Sequence, residues 1–147
     1  MAVRPYIETD FQAVCRIYLD AKRDELAFER GGFVITPLDR DTALQAAFKE
    51  SAVLVFENEK VLGFSAAFGG QLRALFVHSS ARGRGVGGAL LNAVSAEAPQ
   101  GLSLNVAKSN AGAIRFYEEN GFAAVGEIVR QYGGRDVIYL QMRRESM

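Results

Sequence analysis

Residues 82–88 read Arg-Gly-Arg-Gly-Val-Gly-Gly. An apolar run, Ala74 to Val77, comes before them, and Val86, Leu90, Ala93 and Val94 follow at helical spacing. A strand passing through glycines into a helix start leaves bare backbone N–H groups where the helix dipole is positive, which suits an anion. A tight turn needs one or two glycines, whereas this stretch has four, with two arginines. Gly83, Gly85 and Gly88 formally satisfy G-x-G-x-x-G, yet a dinucleotide site also needs an acid at the end of the next strand. That strand ends in Asn105, Val106, Ala107 and Lys108, and no Gly-Lys-Ser/Thr completes a phosphate-binding P-loop. Two further reactive side chains stand out. His78 is the only histidine and closes the strand before the loop, where its type suits base chemistry near neutral pH. Cys15 is the only cysteine and falls on an apolar stripe with Phe11, Val14, Tyr18 and Leu19, so it is a poor nucleophile.

The composition bounds the rest. The chain has 147 residues, 49% hydrophobic and 23% charged, enough for the core of one domain, expected over residues 1–147. The formal net charge is zero, which argues against broad electrostatic binding to nucleic acid or a membrane. A single cysteine without neighbouring ligands implies no internal disulfide and no metal, and a reducing cytoplasmic setting is expected. The first residues carry Arg4, Glu8 and Asp10, unlike a signal peptide, and no apolar run reaches the roughly 18 residues of a membrane span.

These residues must be positioned by strands and helices that periodicity outlines. Residues 3–7 read as a strand. Thr9 with Gln12 suggests a capping box for a helix over Asp10 to Lys22. Gly31-Gly32 marks a loop, and Thr36-Pro37 reads as the start of a second helix through Leu38, Leu44, Ala47 and Phe48. Residues 51–58, 60–68 and 71–77 form a meander. A third helix runs from Val86 to near Pro99, and a strand follows over 102–106. Asn110 caps a fourth helix ended by Gly121, and 122–132 with 135–144 make a final hairpin. The order βααβββαβαββ implies a single-domain α/β (α+β) fold with a mixed, mostly antiparallel twisted sheet and about four helices.

Two signatures come together here. Arg82-x-x-Gly85-x-Gly87 follows one strand. Asn110, Ala113, Tyr117, Gly121 and Phe122 follow the next. In order and spacing the pair resembles the GNAT N-acetyltransferase superfamily, and the likeness extends through the element order and the "VRPYI" start. It is weakest between Asp20 and Glu50. The resemblance implies the acyl-CoA N-acyltransferase fold and acetyl-CoA as co-substrate, with no metal. The anion would be the coenzyme pyrophosphate, held by Arg82, Gly83, Arg84, Gly85, Val86, Gly87 and Gly88. The pantetheine arm would lie along Leu75, Phe76 and Val77 in a gap facing Leu102 to Val106, a backbone N–H near Val77 would steady the oxyanion, and Asn110 would touch the arm. Tyr117 would protonate or stabilise the leaving thiolate.

The resemblance leaves the base open. Family members often carry a glutamate on the strand before the glycine loop, and here Arg73 stands on that strand with no glutamate. His78, Glu8, Glu25, Glu29 and Glu57 are the candidates. The acceptor, a small-molecule or peptide amine, would meet Asp20 to Pro37 and the hairpin around Gly133-Gly134. A non-catalytic acyl-CoA-binding sensor or interaction module is the alternative. Tyr132, Val137, Ile138 and Tyr139 could exceed what one core needs, which leaves a homodimer open.

Overall fold

The computed structural model describes residues 2–30 and 33–145; the Gly31-Gly32 loop expected from sequence lies outside them. The elements are β1 (Ala2–Pro5), α1 (Phe11–Glu25), α2 (Thr42–Glu50), β2 (Ala52–Asn58), β3 (Lys60–Phe68), β4 (Gln71–Val77), α3 (Val86–Ala96), β5 (Gly101–Ala107), α4 (Ala111–Glu119), β6 (Ala123–Tyr132) and β7 (Arg135–Glu145). They form one seven-stranded sheet in the order β1-β2-β3-β4-β5-β7-β6. Neighbours are antiparallel except β4 and β5. The fold is the mixed, mostly antiparallel α/β arrangement that the element order implied.

β3 shows why the layers form. Its interior, Val61 to Ala66, is buried throughout, the pattern of a strand covered on both faces. On one face Phe64 and Val55 pack with Val14, Ile17 and Tyr18 of α1 and with Leu38. On the other, Leu62 and Phe56 pack with Val86 and Leu90 of α3. Gly63 lets α3 approach: a Cβ there would stand 3.0 Å from the Phe76 carbonyl oxygen and 3.0 Å from Val86 Cγ1. A third cluster joins β5, β7, α3 and α4 through Leu102, Leu104, Met142, Leu91 and Tyr117. No helix among the described residues is long and apolar enough to cross a membrane.

Two helix starts differ from expectation. The Thr9 capping box does not form. A 3-10 turn, Glu8–Asp10, precedes α1 instead. Asp10 is drawn to Arg4, whose guanidinium donates to both its carboxylate oxygens at 2.9 Å, while Ile7 N–H donates to Oδ2 at 2.9 Å. Thr36-Pro37 leads into a 3-10 turn, Leu38–Arg40, and not into α2. Asp41 is extended (φ −108°, ψ 96°), which divides the periodic run, and its side chain caps α2 by accepting from Leu44 N–H at 3.0 Å.

Candidate active site

β4 and β5 are paired only at Gln71–Ser103 and Leu72–Leu104. Beyond that point they part. β4 stays with β3, after a register shift that leaves Arg73 unopposed, and β5 stays with β7. A cavity of about 500 Å³ fills the wedge. His78 N–H donates to the Leu62 carbonyl on the β3 side at 2.9 Å. Backbone groups alternate sides along a strand, so Leu75 and Val77 turn their N–H and C=O into the wedge. The wedge thus has a strand edge to pair with an extended ligand.

The glycine loop closes one end of the wedge. Gly83 (φ 75°) and Gly85 (φ 78°) are left-handed, which glycine alone adopts without strain. Gly85 is the N-cap of α3, and the first helical bond runs from Ala89 N–H to Gly85 O at 3.0 Å. The N–H groups of Val86, Gly87 and Gly88 precede it, so the helix supplies them no acceptor. A Cβ on Gly88, or on Gly112 at the start of α4, would meet nothing within 4 Å, and both glycines line the cavity. Packing does not demand glycine there, and the open backbone leaves room for a phosphate and its linker. These features fit coenzyme A.

α4 forms the opposite wall. Asn110 caps it, accepting from Ala113 N–H at 3.3 Å, and lines the cavity. Tyr117 stands one turn below Ala113 and lines the cavity while packing edge-on against Phe116 and Phe122. Its hydroxyl has no hydrogen-bond partner among the described residues. Burial, then the charge of Glu25, pushes its pKa above the usual phenol range, so it carries its proton at neutral pH. Gly121 (φ 90°) ends the helix as expected, with Phe122 N–H donating to Tyr117 O at 3.0 Å.

Leu75, Phe76, Val77, Arg82, Gly83, Gly85, Val86, Gly87, Gly88, Asn110 and Tyr117 all line this one cavity, whereas Arg84 and His78 do not. Arg82 is there as a clasp: its guanidinium holds Asp24 of α1 and donates to the Val77 carbonyl at 3.1 and 3.3 Å. Arg84 is exposed and unpaired among the described residues. His78 faces away from the wedge. Its Nδ1 accepts from Ser80 N–H at 3.1 Å, capping a short turn, and its Nε2 lies 3.8 Å from Asp20. Burial opposes the Asp20 charge, but the Ser79 N–H and hydroxyl, His78 and Arg82 outweigh it and hold that carboxyl below its ordinary value.

The end of α1, expected from sequence to meet the acceptor, also walls the coenzyme wedge, which the motifs did not indicate. Ala21, Asp24 and Glu25 cross the mouth of the wedge, and Gly112 and Phe116 form a second row beside Ala113 and Tyr117 on α4. Spacing of four residues was the available signal in both helices. Beside the wedge lies a second cavity of about 290 Å³, walled by Tyr18, Phe48, Phe64, Tyr132 and Tyr139. The last hairpin therefore turns much of its apolar surplus inward. Val137 is fully buried and the two tyrosines line this cavity, leaving Ile138 45% exposed.

Residues 11–122 match the acetyltransferase (GNAT) family. Among curated proteins, the peptidyl-lysine N-acetyltransferase YjaB of Salmonella typhimurium is 35% identical over 74 residues, 50% of each chain. The aligned stretch thus spans about half the length of that relative. Among solved structures, a GCN5-related N-acetyltransferase of Rhodopseudomonas palustris superposes with a TM-score of 0.79 at 20% identity, covering 98% of this chain and 94% of the other. Salmonella typhimurium yncA, solved with its cofactor acetyl-CoA, gives 0.70 at 21% identity, covering 99% and 93%. Identities this low establish a shared fold, while the match through the wedge, the glycine loop and α4 establishes the family: this chain belongs to the acetyltransferase (GNAT) family.

Proposed function

We propose that this chain transfers the acetyl group of acetyl-CoA to a primary amine by direct attack, with both substrates bound and no acyl-enzyme. The observation that carries this reading is the convergence of three parts on one cavity: the free edge of β4, the unpaired N–H groups at the start of α3, and the Tyr117 hydroxyl. The pyrophosphate would lie on the N–H groups of Val86 to Gly88, with Arg84 free to reach it. The pantetheine arm would pair with Leu75, since the Val77 carbonyl already accepts from Arg82. The Val77 N–H, turned into the wedge, would donate to the thioester oxygen as it gains charge. Tyr117 would donate to sulfur as the C–S bond breaks. A thiol titrates near 8.5, below a buried phenol, so Tyr117 stabilises the thiolate by hydrogen bonding more than by giving up its proton. The acceptor would enter through the second cavity, and residues 1–147 would act as one unit. A peptide lysine is one candidate acceptor, from the naming of YjaB, and a small-molecule amine is the other.

Calorimetric titration with acetyl-CoA, using NADH and ATP as controls, tests the coenzyme site. Selective micromolar binding supports the reading, and an amine screen read by thiol release then tests transfer. Absence of acetyl-CoA binding would return the glycine loop to a structural role.

A further inference from the structure

Acetyl transfer from a thioester to an amine releases one net proton, because an aliphatic amine with a pKa of about 10 enters mostly as ammonium. β4 offers no glutamate, and His78 is turned to Ser80 and Asp20. The other glutamates considered from sequence sort themselves. Glu57 pairs with Arg4, Glu29 binds the Ser109 hydroxyl, and Glu8 lines neither the wedge nor the cavity beside it. Glu25 differs from all of them. It lines both the wedge and the adjoining aromatic cavity, where a thioester and an amine would meet.

Its surroundings hold it ready. The side chain is 15% exposed, and Lys22 and the Tyr139 hydroxyl, the latter at 3.2 Å, both donate to Oε2. Oε1 takes no hydrogen bond from any described residue. Burial opposes the Lys22 charge, but Glu25 outweighs it and keeps the ammonium protonated. The charged and titratable groups around Glu25 are Lys22 and Tyr18 on α1, Tyr117 on α4, Tyr132 on β6 and Tyr139 on β7. Arg73 on β4 lines both cavities too, but its guanidinium is spent on Glu50 at 2.6 Å and lies over Phe68. Glu25 is therefore the one carboxylate shared by the two cavities, with one oxygen bound and one open.

We propose that Glu25 receives the acceptor amine through Oε1 and takes its first proton. The acceptor is then a primary amine whose body is small enough, and apolar or aromatic enough, for a cavity of about 290 Å³ walled by Tyr18, Phe48, Phe64, Tyr132 and Tyr139. An N–H bond of the ammonium breaks and an O–H bond forms on Glu25. The freed lone pair attacks the thioester carbon. The C–S bond breaks with its electron pair on sulfur, where Tyr117 donates a hydrogen bond. The nitrogen sheds a second proton as it becomes an amide, and that proton ends on the thiol. Glu25 returns its own to solvent.

This inference rests on the acetyltransferase reading, and the test separates the two. Thiol release is followed against pH 5.5–10 with phenethylamine, butylamine and a lysine peptide as acceptors, for the native chain and for Glu25→Gln. With a base, the enzyme accepts the ammonium form and log(kcat/KM) is flat below the amine's pKa. Without it, only the free amine reacts, and the profile climbs with unit slope up to about pH 10. Expected are a 10²–10⁴-fold loss at pH 7 in Glu25→Gln, unit slope in that variant, unchanged acetyl-CoA affinity, and phenethylamine as the best acceptor. Glu25→Gln strands Lys22, whose side chain is only 12% exposed. The double variant Lys22→Met/Glu25→Gln removes both charges and should show the same unit slope. A flat profile retained in folded Glu25→Gln or in the double variant overturns the role of Glu25, and a preference for the lysine peptide overturns the acceptor class. A native chain that binds acetyl-CoA but releases no thiol with any amine instead overturns the acetyltransferase reading itself.

Discussion

Replacing Tyr117 by Phe removes one oxygen from a side chain 8% exposed and leaves its ring contacts with Phe116 and Phe122 in place. The hydroxyl bonds no described residue, so the fold loses no hydrogen bond. Folding stability should be unchanged or rise by up to about 1 kcal/mol, a gain in Tm of at most roughly 4 °C. Turnover should move the other way. A hydrogen bond to a charged partner contributes about 1.5–3 kcal/mol, and each 1.4 kcal/mol is tenfold, so kcat should fall roughly 10- to 150-fold. The sulfur becomes an anion only as the C–S bond breaks, so acetyl-CoA affinity should hold. The raised Tyr117 pKa also means that the native hydroxyl stays protonated well above neutral pH, so the ratio of native to variant kcat should not vary between pH 6 and 9. The assay is thiol release at saturating acetyl-CoA, with the dissociation constant from calorimetry and Tm from thermal unfolding. A kcat within twofold of native would refute the hydrogen bond to sulfur. A fall in kcat matched by weaker coenzyme binding and a lower Tm would mean that the ring, and not the hydroxyl, matters.

Three further outcomes follow from the packing and ion pairs. His78→Ala should leave the pH profile of kcat/KM unchanged from pH 6 to 9, since the ring faces Ser80 and Asp20; a lost acidic limb would restore His78 as the base. Gly63→Ala should cost about 1–3 kcal/mol by thermal or urea unfolding, because the added Cβ meets backbone and Val86 at 3.0 Å, and native stability would contradict that close approach. The Arg4 hydrogen bonds hold the Asp10 carboxyl below its ordinary value, so its stabilisation is present above the unfolded pKa near 3.9 and is lost as pH falls through the lower folded value. Asp10→Asn should therefore cost about 2 kcal/mol at pH 7, with Glu57 still holding Arg4, and the gap should narrow below about pH 4; a gap independent of pH would place the effect elsewhere.

Much of this protein was legible in the sequence because its strongest signals are local. Helical spacing in residues 86–94 and 110–121, the alternation of strands and helices, and the Asn110 cap each depend on neighbours a few residues away. The glycine loop was legible for the same reason, four glycines within seven residues standing out in any context, while the left-handed backbone of Gly83 and Gly85 came from the structure. The local readings failed where a distant partner competed. Thr9 lost its capping role because Arg4 holds Asp10, and the second helix began at Thr42 because extended Asp41 divides the run. Arg82 looked like a phosphate ligand from its place in the loop, yet Asp24, 58 residues away, claims its guanidinium. The same holds for the candidate base. Nothing in the sequence separates Glu25 from the other glutamates. Its distinction arises from Tyr139, 114 residues on, and from two cavities that exist only where β4 parts from β5 beneath α1. Backbone conformation answers to short-range sterics and hydrogen bonding, so sequence alone carried the fold and the glycine loop. The pairing of charged side chains depends on which surfaces the folded chain brings together, and only the tertiary structure decided that.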